Sequence, residues 1–229
     1  EAGCAVVIEV PRSGSERSAR ARLTAVLGPI TEPGVDIEVL IRKHDLRVDF
    51  PDTVTQDAEA LAASVPAAEL LRREDFSRAT VVTIDGETAR DFDDAVSVSA
   101  GPRGSFELAV HIADVAHYVQ RGSATDIEAR LRGTSVYFPG RAIPMLPRAL
   151  SEEICSLKPD VPRLVQSVIM KFDARGEISG VRFADGWIRS RARLTYGQVN
   201  ALLRGVAPTA SERPLLVDLQ RMNHLSRLL

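Results

Sequence analysis

The sequence predicts an α+β fold, in which a mixed or antiparallel sheet packs with helices and a small β module stands in front of it. Three observations carry this. Residues 96–100 and 106–112 alternate apolar with polar positions across the turn Gly101-Pro102-Arg103-Gly104, the pattern of a half-buried hairpin. Residues 164–172 and 178–188 are long β-rich runs joined by Asp173-Ala174-Arg175-Gly176. Helical spacing falls in other segments, among them 34–46, 123–131, 195–203 and 212–229.

At 229 residues and 45% apolar content, the chain is long enough for one large domain, or for one domain and a smaller module. No apolar run approaches the ~20 residues that a membrane span needs. No charged-then-apolar leader opens the chain, so no membrane partner and a cytoplasmic location are expected. Cys4 and Cys155 lie far apart and outside any CxxC pair, and each is expected to be a small buried apolar residue. A net charge of −2 argues against coating nucleic acid with the whole surface and leaves room for a basic channel. Nearly all 29 basic residues are Arg, with Lys only at 43, 158 and 171, which reads first as an Arg- and Ala-rich coding preference. The chain starts at Glu1 beside a strand-like run, and is therefore expected to be a fragment.

In order, residues 4–10 and 22–27 read as strands separated by a polar loop over 12–20. Two strands bury little by themselves, so this module is the end of a small barrel or an addition to a larger neighbour. A helix is expected over 34–46. A second follows Pro51, with Thr53 and Gln56 at capping-box spacing, and runs towards Ala63. Residues 66–78 read as a charged connector. Residues 79–84 form an apolar strand that delivers Asp85 to its end, where Gly86 permits the turn. If the apolar residues of the next two strands face one core, Ala100 pairs near Phe106 and Asp94 near Ile112, because a one-residue slip turns one apolar face to solvent. The loop before Asp94 then lies beside His111-Ile112-Ala113-Asp114. Residues 143–147 are too proline-rich for regular structure, and 151–157 is a short helix.

From Asp85 to Asp94 there are five acidic residues and one Arg in ten positions, where 31 acids in 229 residues would place between one and two. Two unit charges about 4 Å apart, at an effective dielectric near 20, repel by roughly 4 kcal/mol, so such a loop calls for a compensating cation. A hard divalent ion suits carboxylate oxygens. The spacing Asp-x-Asp-Asp followed by Ala95 and Val96 does not fit a calcium loop of the EF-hand type. A phosphatase of the haloacid-dehalogenase class has an Asp-x-Asp pair that Asp91-Phe92-Asp93 mimics, but Thr88-Ala89-Arg90 is too polar for the buried strand that precedes it there. Metal-assisted phosphodiester hydrolysis is the third reading, with carboxylates and substrate phosphate sharing Mg²⁺.

The string from Thr83-Ile84-Asp85 through Asp91-Phe92-Asp93-Asp94-Ala95-Val96, then His111-Ile112-Ala113-Asp114-Val115 and His117-Tyr118-Val119, resembles the catalytic domain of the ribonuclease II and ribonuclease R (RNB) family. Tyr137-Phe138-Pro139-Gly140, Pro144-Met145-Leu146-Pro147, Leu150-Ser151-Glu152-Glu153-Ile154-Cys155-Ser156-Leu157 and Ser190-Arg191-Ala192-Arg193-Leu194-Thr195-Tyr196 continue the likeness in order, so that it spans residues 79–200. The first 50 residues, with Pro33-Gly34-Val35-Asp36-Ile37 and His44, resemble the end of the cold-shock-type OB module that precedes this domain in the family. The resemblance implies a partial OB-like β-barrel module over 1–50, a helical linker over 51–78, and the N-terminal portion of an RNB-type catalytic domain over 79–229.

The activity it implies is processive, Mg²⁺-dependent 3′ to 5′ hydrolysis of single-stranded RNA to nucleoside 5′-monophosphates. Asp85, Asp91 and Asp94 would hold Mg²⁺, and Asp93 would be the carboxylate whose loss abolishes cleavage. Tyr137 would stack on a base near the 3′ end. Tyr196 would help tell ribose from deoxyribose through its hydroxyl. Asp114 is expected either beside the metal or as a turn cap, His111 and His117 as core or strand-edge residues, and Arg141, Arg148 and Arg163 as surface arginines. In the family a further C-terminal stretch supplies an Arg and a Glu, and an S1-type module follows; both are expected partners, and this chain by itself is expected to be a poor nuclease. The alternative is a non-catalytic RNA-binding or scaffolding relative. The four aspartates argue against it, since a pure binder gains nothing from a cluster that repels phosphate. The ribonuclease II and ribonuclease R subtypes are not distinguished.

Overall fold

The computed structural model describes residues 3–10, 21–61 and 64–229. Strands β1 (Cys4–Glu9) and β2 (Arg22–Pro29) precede helices α1 (Val35–Lys43), α2 (Asp52–Ala60) and α3 (Ala67–Arg72). Strands β3 (Glu74–Asp75), β4 (Val82–Asp85), β5 (Asp94–Ala100) and β6 (Phe106–Ala113) lead to α4 (Val115–Tyr118) and α5 (Ala124–Arg132). A small hairpin, β7 (Val136–Phe138) and β8 (Arg141–Ile143), and a π-helical turn (Ala149–Ile154) follow. The chain continues through β9 (Pro162–Phe172), β10 (Ile178–Arg189), β11 (Ala192–Thr195), α6 (Tyr196–Leu203) and α7 (Leu216–Leu228). The loop expected over 12–20 and the last residues of the helix expected to reach Ala63 lie outside the described residues.

The chain divides into two compact units. The first is Glu1–Pro51 with Ala129–Met145, and the second is Asp52–Glu128 with Leu146–Leu229. In the first unit β1 and β2 pair antiparallel, and among the described residues they do not close into a barrel. Helix α1 has Asp36 and Glu38 in its first turn and Arg42 and Lys43 in its last, which suits the helix dipole at both ends. Arg132 donates to the Asp49 and Pro144 carbonyls, and its guanidinium lies 3.6 Å from the Phe50 ring centroid. Arg141 pairs with Glu38, so the β7–β8 hairpin is tied to α1.

The second unit is built on a sheet whose order among the described residues is β11-β4-β5-β6-β9-β10-β3. The β11–β4 and β10–β3 pairs are parallel and the others antiparallel, so the sheet is mixed. Asp94 pairs with Ile112 and Ala100 with Phe106, the register that the apolar alternation requires. The turn between them places Arg103 at φ 57 and Gly104 at φ 77. On one face, α6 and α7 cover Val82, Leu194, Val98, Phe106 and Phe172 through Leu202, Leu219 and Leu225. On the opposite face Ala95, Ala109, His111 and Ala113 are buried as well, and the Phe76 ring packs 5.0 Å from His111. Among the described residues no helix is long and apolar enough to cross a membrane.

Several elements differ from expectation. The connector over 66–78 contributes α3 and β3, and β3 joins the sheet beside Gly186 and Trp187. The capping box expected at Thr53 falls inside α2, which begins at Asp52. A true capping box occurs at Thr195, whose hydroxyl accepts from the Gln198 N–H while the Gln198 side chain accepts from the Thr195 N–H. Residues 192–195 form β11, so the helix expected from Thr195 starts one residue later, at Tyr196. The last helix starts at Leu216 after a short 3₁₀ turn containing Pro214, a residue without an N–H to donate.

Candidate active site

The acidic loop runs from the end of β4 to the start of β5. Asp85 is the last residue of β4, opposite Thr195 in the parallel pair with β11, and Asp94 is the first of β5. The loop between them is fastened to the sheet by main-chain contacts. Phe92 is buried, its N–H donates to the Ser156 hydroxyl at 3.1 Å, and its carbonyl accepts from the Leu157 N–H at 2.9 Å. The Ser156 hydroxyl in turn donates to the Arg90 carbonyl at 2.9 Å. The Asp93 carbonyl accepts from the Ala113 N–H at 2.8 Å. On the other side, Arg193 donates to the carbonyls of Gly86 at 2.6 Å and Glu87 at 2.9 Å, and its guanidinium carbon lies 5.6 Å from the Phe92 ring centroid. The backbone is thereby fixed while Asp93 and Asp94 face solvent.

The four aspartates lie within one another's fields. Burial pushes the Asp85 carboxyl above its ordinary range, the charge of Asp94 adds to this, Arg193 opposes it, and Asp91 contributes in the same sense as Asp94. Asp93 is raised as well, first by the crowding of surrounding protein and then by Asp91, Asp94 and Asp85. Its side chain is reached by solvent yet recessed among neighbouring atoms. Cys155, buried nearby, is pushed up to about 12 by burial and by the Asp93 charge, so it stays a thiol.

Among the described residues no three His, Cys, Asp or Glu side chains converge as a ready-made metal cage. Mg²⁺ seldom uses such a cage; it keeps several waters and is held by one or two carboxylates together with substrate phosphate. The Asp85 Oδ2 atom is buried and has no hydrogen-bond partner, the condition of an oxygen that lacks a cation. The residues present therefore fit the ion, with Asp85, Asp91 and Asp94 as the carboxylates that would hold it. An open hollow on the sheet, lined by Ile112, Gln166, Val168 and Phe183 among others, includes none of the four aspartates.

Of the two tyrosines, Tyr196 opens α6 next to Thr195, at the sheet end that carries Asp85, and its side chain is 66% exposed. Tyr137 sits on the β7–β8 hairpin of the other unit and is 69% exposed. Asp114 is a cap and an ion-pair partner: it accepts from the His117 N–H and meets Arg73 at 2.7 Å, both side chains being buried. His111 is a core histidine held at about 4 by burial, between the hydroxyls of Ser167 and Ser97. His117 is half-buried, 4.0 Å from Glu69. The expectation of a surface Arg163 is corrected: it is buried and its guanidinium donates to the carbonyls of Ser156, Pro162 and Glu153. Ser156 and Arg193 are the two residues that the sequence did not single out. A serine inside Ile154-Cys155-Ser156-Leu157 is a buried polar group in need of partners, and that was the available signal.

Fold and site together define an α+β domain that gathers carboxylates at one end of a mixed sheet. The RNB domain model matches residues 73–229 and the cold shock domain model residues 1–51. The chain belongs to the RNB domain family. It is 41% identical over 229 residues to a protein named Ribonuclease R from Aquifex aeolicus, covering 99% of this chain and 32% of that one. It superimposes on the structure titled Mycoplasma genitalium RNase R in complex with double-stranded RNA with a TM-score of 0.90 at 31% identity, covering 99% of this chain and 40% of that one. A structure titled yeast Ssd1, a pseudonuclease, shares the fold with a TM-score of 0.76 at 21% identity, covering 99% of this chain and 28% of that one. The chain spans about a third of the length of the curated relatives it matches.

Proposed function

We propose that this chain forms the cation-holding wall of a 3′ to 5′ exoribonuclease that hydrolyses single-stranded RNA processively to nucleoside 5′-monophosphates in the cytoplasm. The observation that carries the reading is the unpartnered, buried Asp85 Oδ2 atom in the field of Asp91 and Asp94. Relatives named Ribonuclease R support the reaction class. The shared fold does not, because a pseudonuclease has it too.

Asp85, Asp91 and Asp94 hold Mg²⁺ with the substrate phosphate. When bound, the ion supplies a polarised phosphoryl group and a more acidic water. Asp93 does the proton work. It meets solvent while crowding by surrounding protein, and then the charges of Asp91, Asp94 and Asp85, raise its affinity for a proton, which suits a carboxylate that accepts one from the attacking water. Tyr137 presents an exposed ring on which a base stacks, a contact of ~1–3 kcal/mol that every base can make. Tyr196 follows Thr195, the partner of Asp85, and its hydroxyl would meet the terminal ribose 2′-hydroxyl that distinguishes RNA from DNA.

The test is digestion of 5′-labelled single-stranded RNA by the complete protein in Mg²⁺ and in EDTA. Release of mononucleotides from the 3′ end in Mg²⁺ alone is the expected result. RNA binding that is indifferent to Mg²⁺, with no cleavage, would overturn the reading in favour of a non-catalytic RNA binder.

A further inference from the structure

We propose that Ser156 is a positioning residue, which sets the direction of the Asp91 carboxylate towards the cation and of Asp93 beside it; this rests on the reading of the acidic loop as a cation site. Ser156 is 0% exposed, so it touches neither RNA nor ion. Its hydroxyl has one proton to give and gives it to the Arg90 carbonyl, while it accepts the Phe92 N–H. It therefore spans the two residues on either side of Asp91. Phe92 is buried whereas Asp93 is exposed, so whatever anchors Phe92 decides which way its acidic neighbours face.

Ser156 is itself immobilised. Arg163 donates through Nε to the Ser156 carbonyl at 2.9 Å, and the other arms of the same guanidinium hold the Pro162 and Glu153 carbonyls at 3.0 Å each. The next residue, Leu157, donates its N–H to the Phe92 carbonyl. The serine cannot follow a loop that drifts, so the loop conforms to the serine. A hydroxyl here acts as the outer partners of metal ligands act elsewhere: it spends no charge on the cation and fixes the groups that do.

The experiment measures Mn²⁺ affinity by paramagnetic resonance and amide exchange at Phe92, in the complete protein and its Ser156→Ala and Ser167→Ala variants. Ser167 is an equally buried serine that hydrogen-bonds His111 and not the loop, so it controls for general loss of stability. Ser156→Ala is expected to weaken Mn²⁺ binding by roughly 10- to 100-fold, the usual range for loss of an outer partner. Exchange at Phe92 should accelerate at least about 10-fold, as a lost hydrogen bond implies, while Ser167→Ala leaves both readings unchanged. Faster exchange with unchanged Mn²⁺ affinity would overturn the inference, and so would equal weakening in both variants. A parent chain that binds no Mn²⁺ would overturn the cation reading and this inference together, and is told apart by the failure of the unmutated chain.

Discussion

Thr195 lies directly opposite Asp85 in the parallel pair of β11 and β4, and the next residue, Tyr196, opens a helix with its ring in solvent. The capping box at Thr195 fixes the angle at which that helix leaves the sheet. Tyr196→Phe should therefore keep fold and RNA affinity and lose the discrimination between RNA and DNA oligonucleotides. A fall of about tenfold in the ratio of kcat/KM values is expected, the worth of one hydrogen bond of about 1.4 kcal/mol. An unchanged ratio would remove the hydroxyl from specificity.

Asp93→Asn should lower cleavage roughly 10²- to 10⁴-fold, as loss of a proton-transfer group does, and leave RNA binding within about twofold. It should also stabilise the chain when divalent ions are absent. Asp93 and Asp85 keep their protons to higher pH in the folded chain than in the unfolded one, so ionising them costs stability as pH rises through their raised values. At pH 7 in EDTA a gain of about 2 °C in Tm is expected, small because Asp93 meets solvent. Mg²⁺ should narrow the gap by binding the parent more strongly.

Arg193→Met removes the donor to the Gly86 and Glu87 carbonyls and the one cationic neighbour that lowers the Asp85 carboxyl. Asp85 then protonates at a higher pH, so cation binding is lost earlier on acidification. Titrating Mn²⁺ affinity between pH 5 and 8 should show the acid limb displaced upward. A coincident curve would mean that Arg193 acts on the backbone only.

Burial holds His111 at about 4 against an ordinary 6.5. Below pH 6.5 the unfolded chain takes up a proton that the folded chain refuses until about pH 4, so stability falls as pH drops through this window. At ~1.36 kcal/mol per unit the slope amounts to roughly 3 kcal/mol across the window. Urea denaturation at pH 5 and pH 7 should show a smaller difference in His111→Gln than in the parent.

Arg73 and Asp114 form a buried ion pair, with side chains 9% and 6% exposed. Arg73→Met leaves a buried carboxylate without its partner and should cost about 3–5 kcal/mol in denaturant. Adding Asp114→Asn should recover part of that loss; strict additivity would mean the pair does not interact.

The hairpin register and the acidic cluster were legible because each is local. The alternation of Val96, Val98 and Val110 admits one register, and five acids in ten positions need no neighbour to be noticed. Strand β11 was not legible, because the Arg-rich run before Thr195 lacks alternation and its partner β4 lies about a hundred residues earlier. For the same reason Ser156 and Arg193 went unnoticed. Their side chains act on backbone groups of the loop, and although a serine in an apolar run signals a buried bond, nothing in the sequence names its partner.

That dependence on distance has a kinetic side. The bonds that fasten the acidic loop join it to residues 64 and 66 positions on at Ser156, and 106 and 107 positions on at Arg193. Ordering such remote partners costs loop-closure entropy that is repaid only once the intervening sheet has formed. A chain emerging during synthesis carries all four aspartates long before it carries Arg193, and in that interval it has the acids without the site. The acidic loop stays unfastened until the sheet around it has formed.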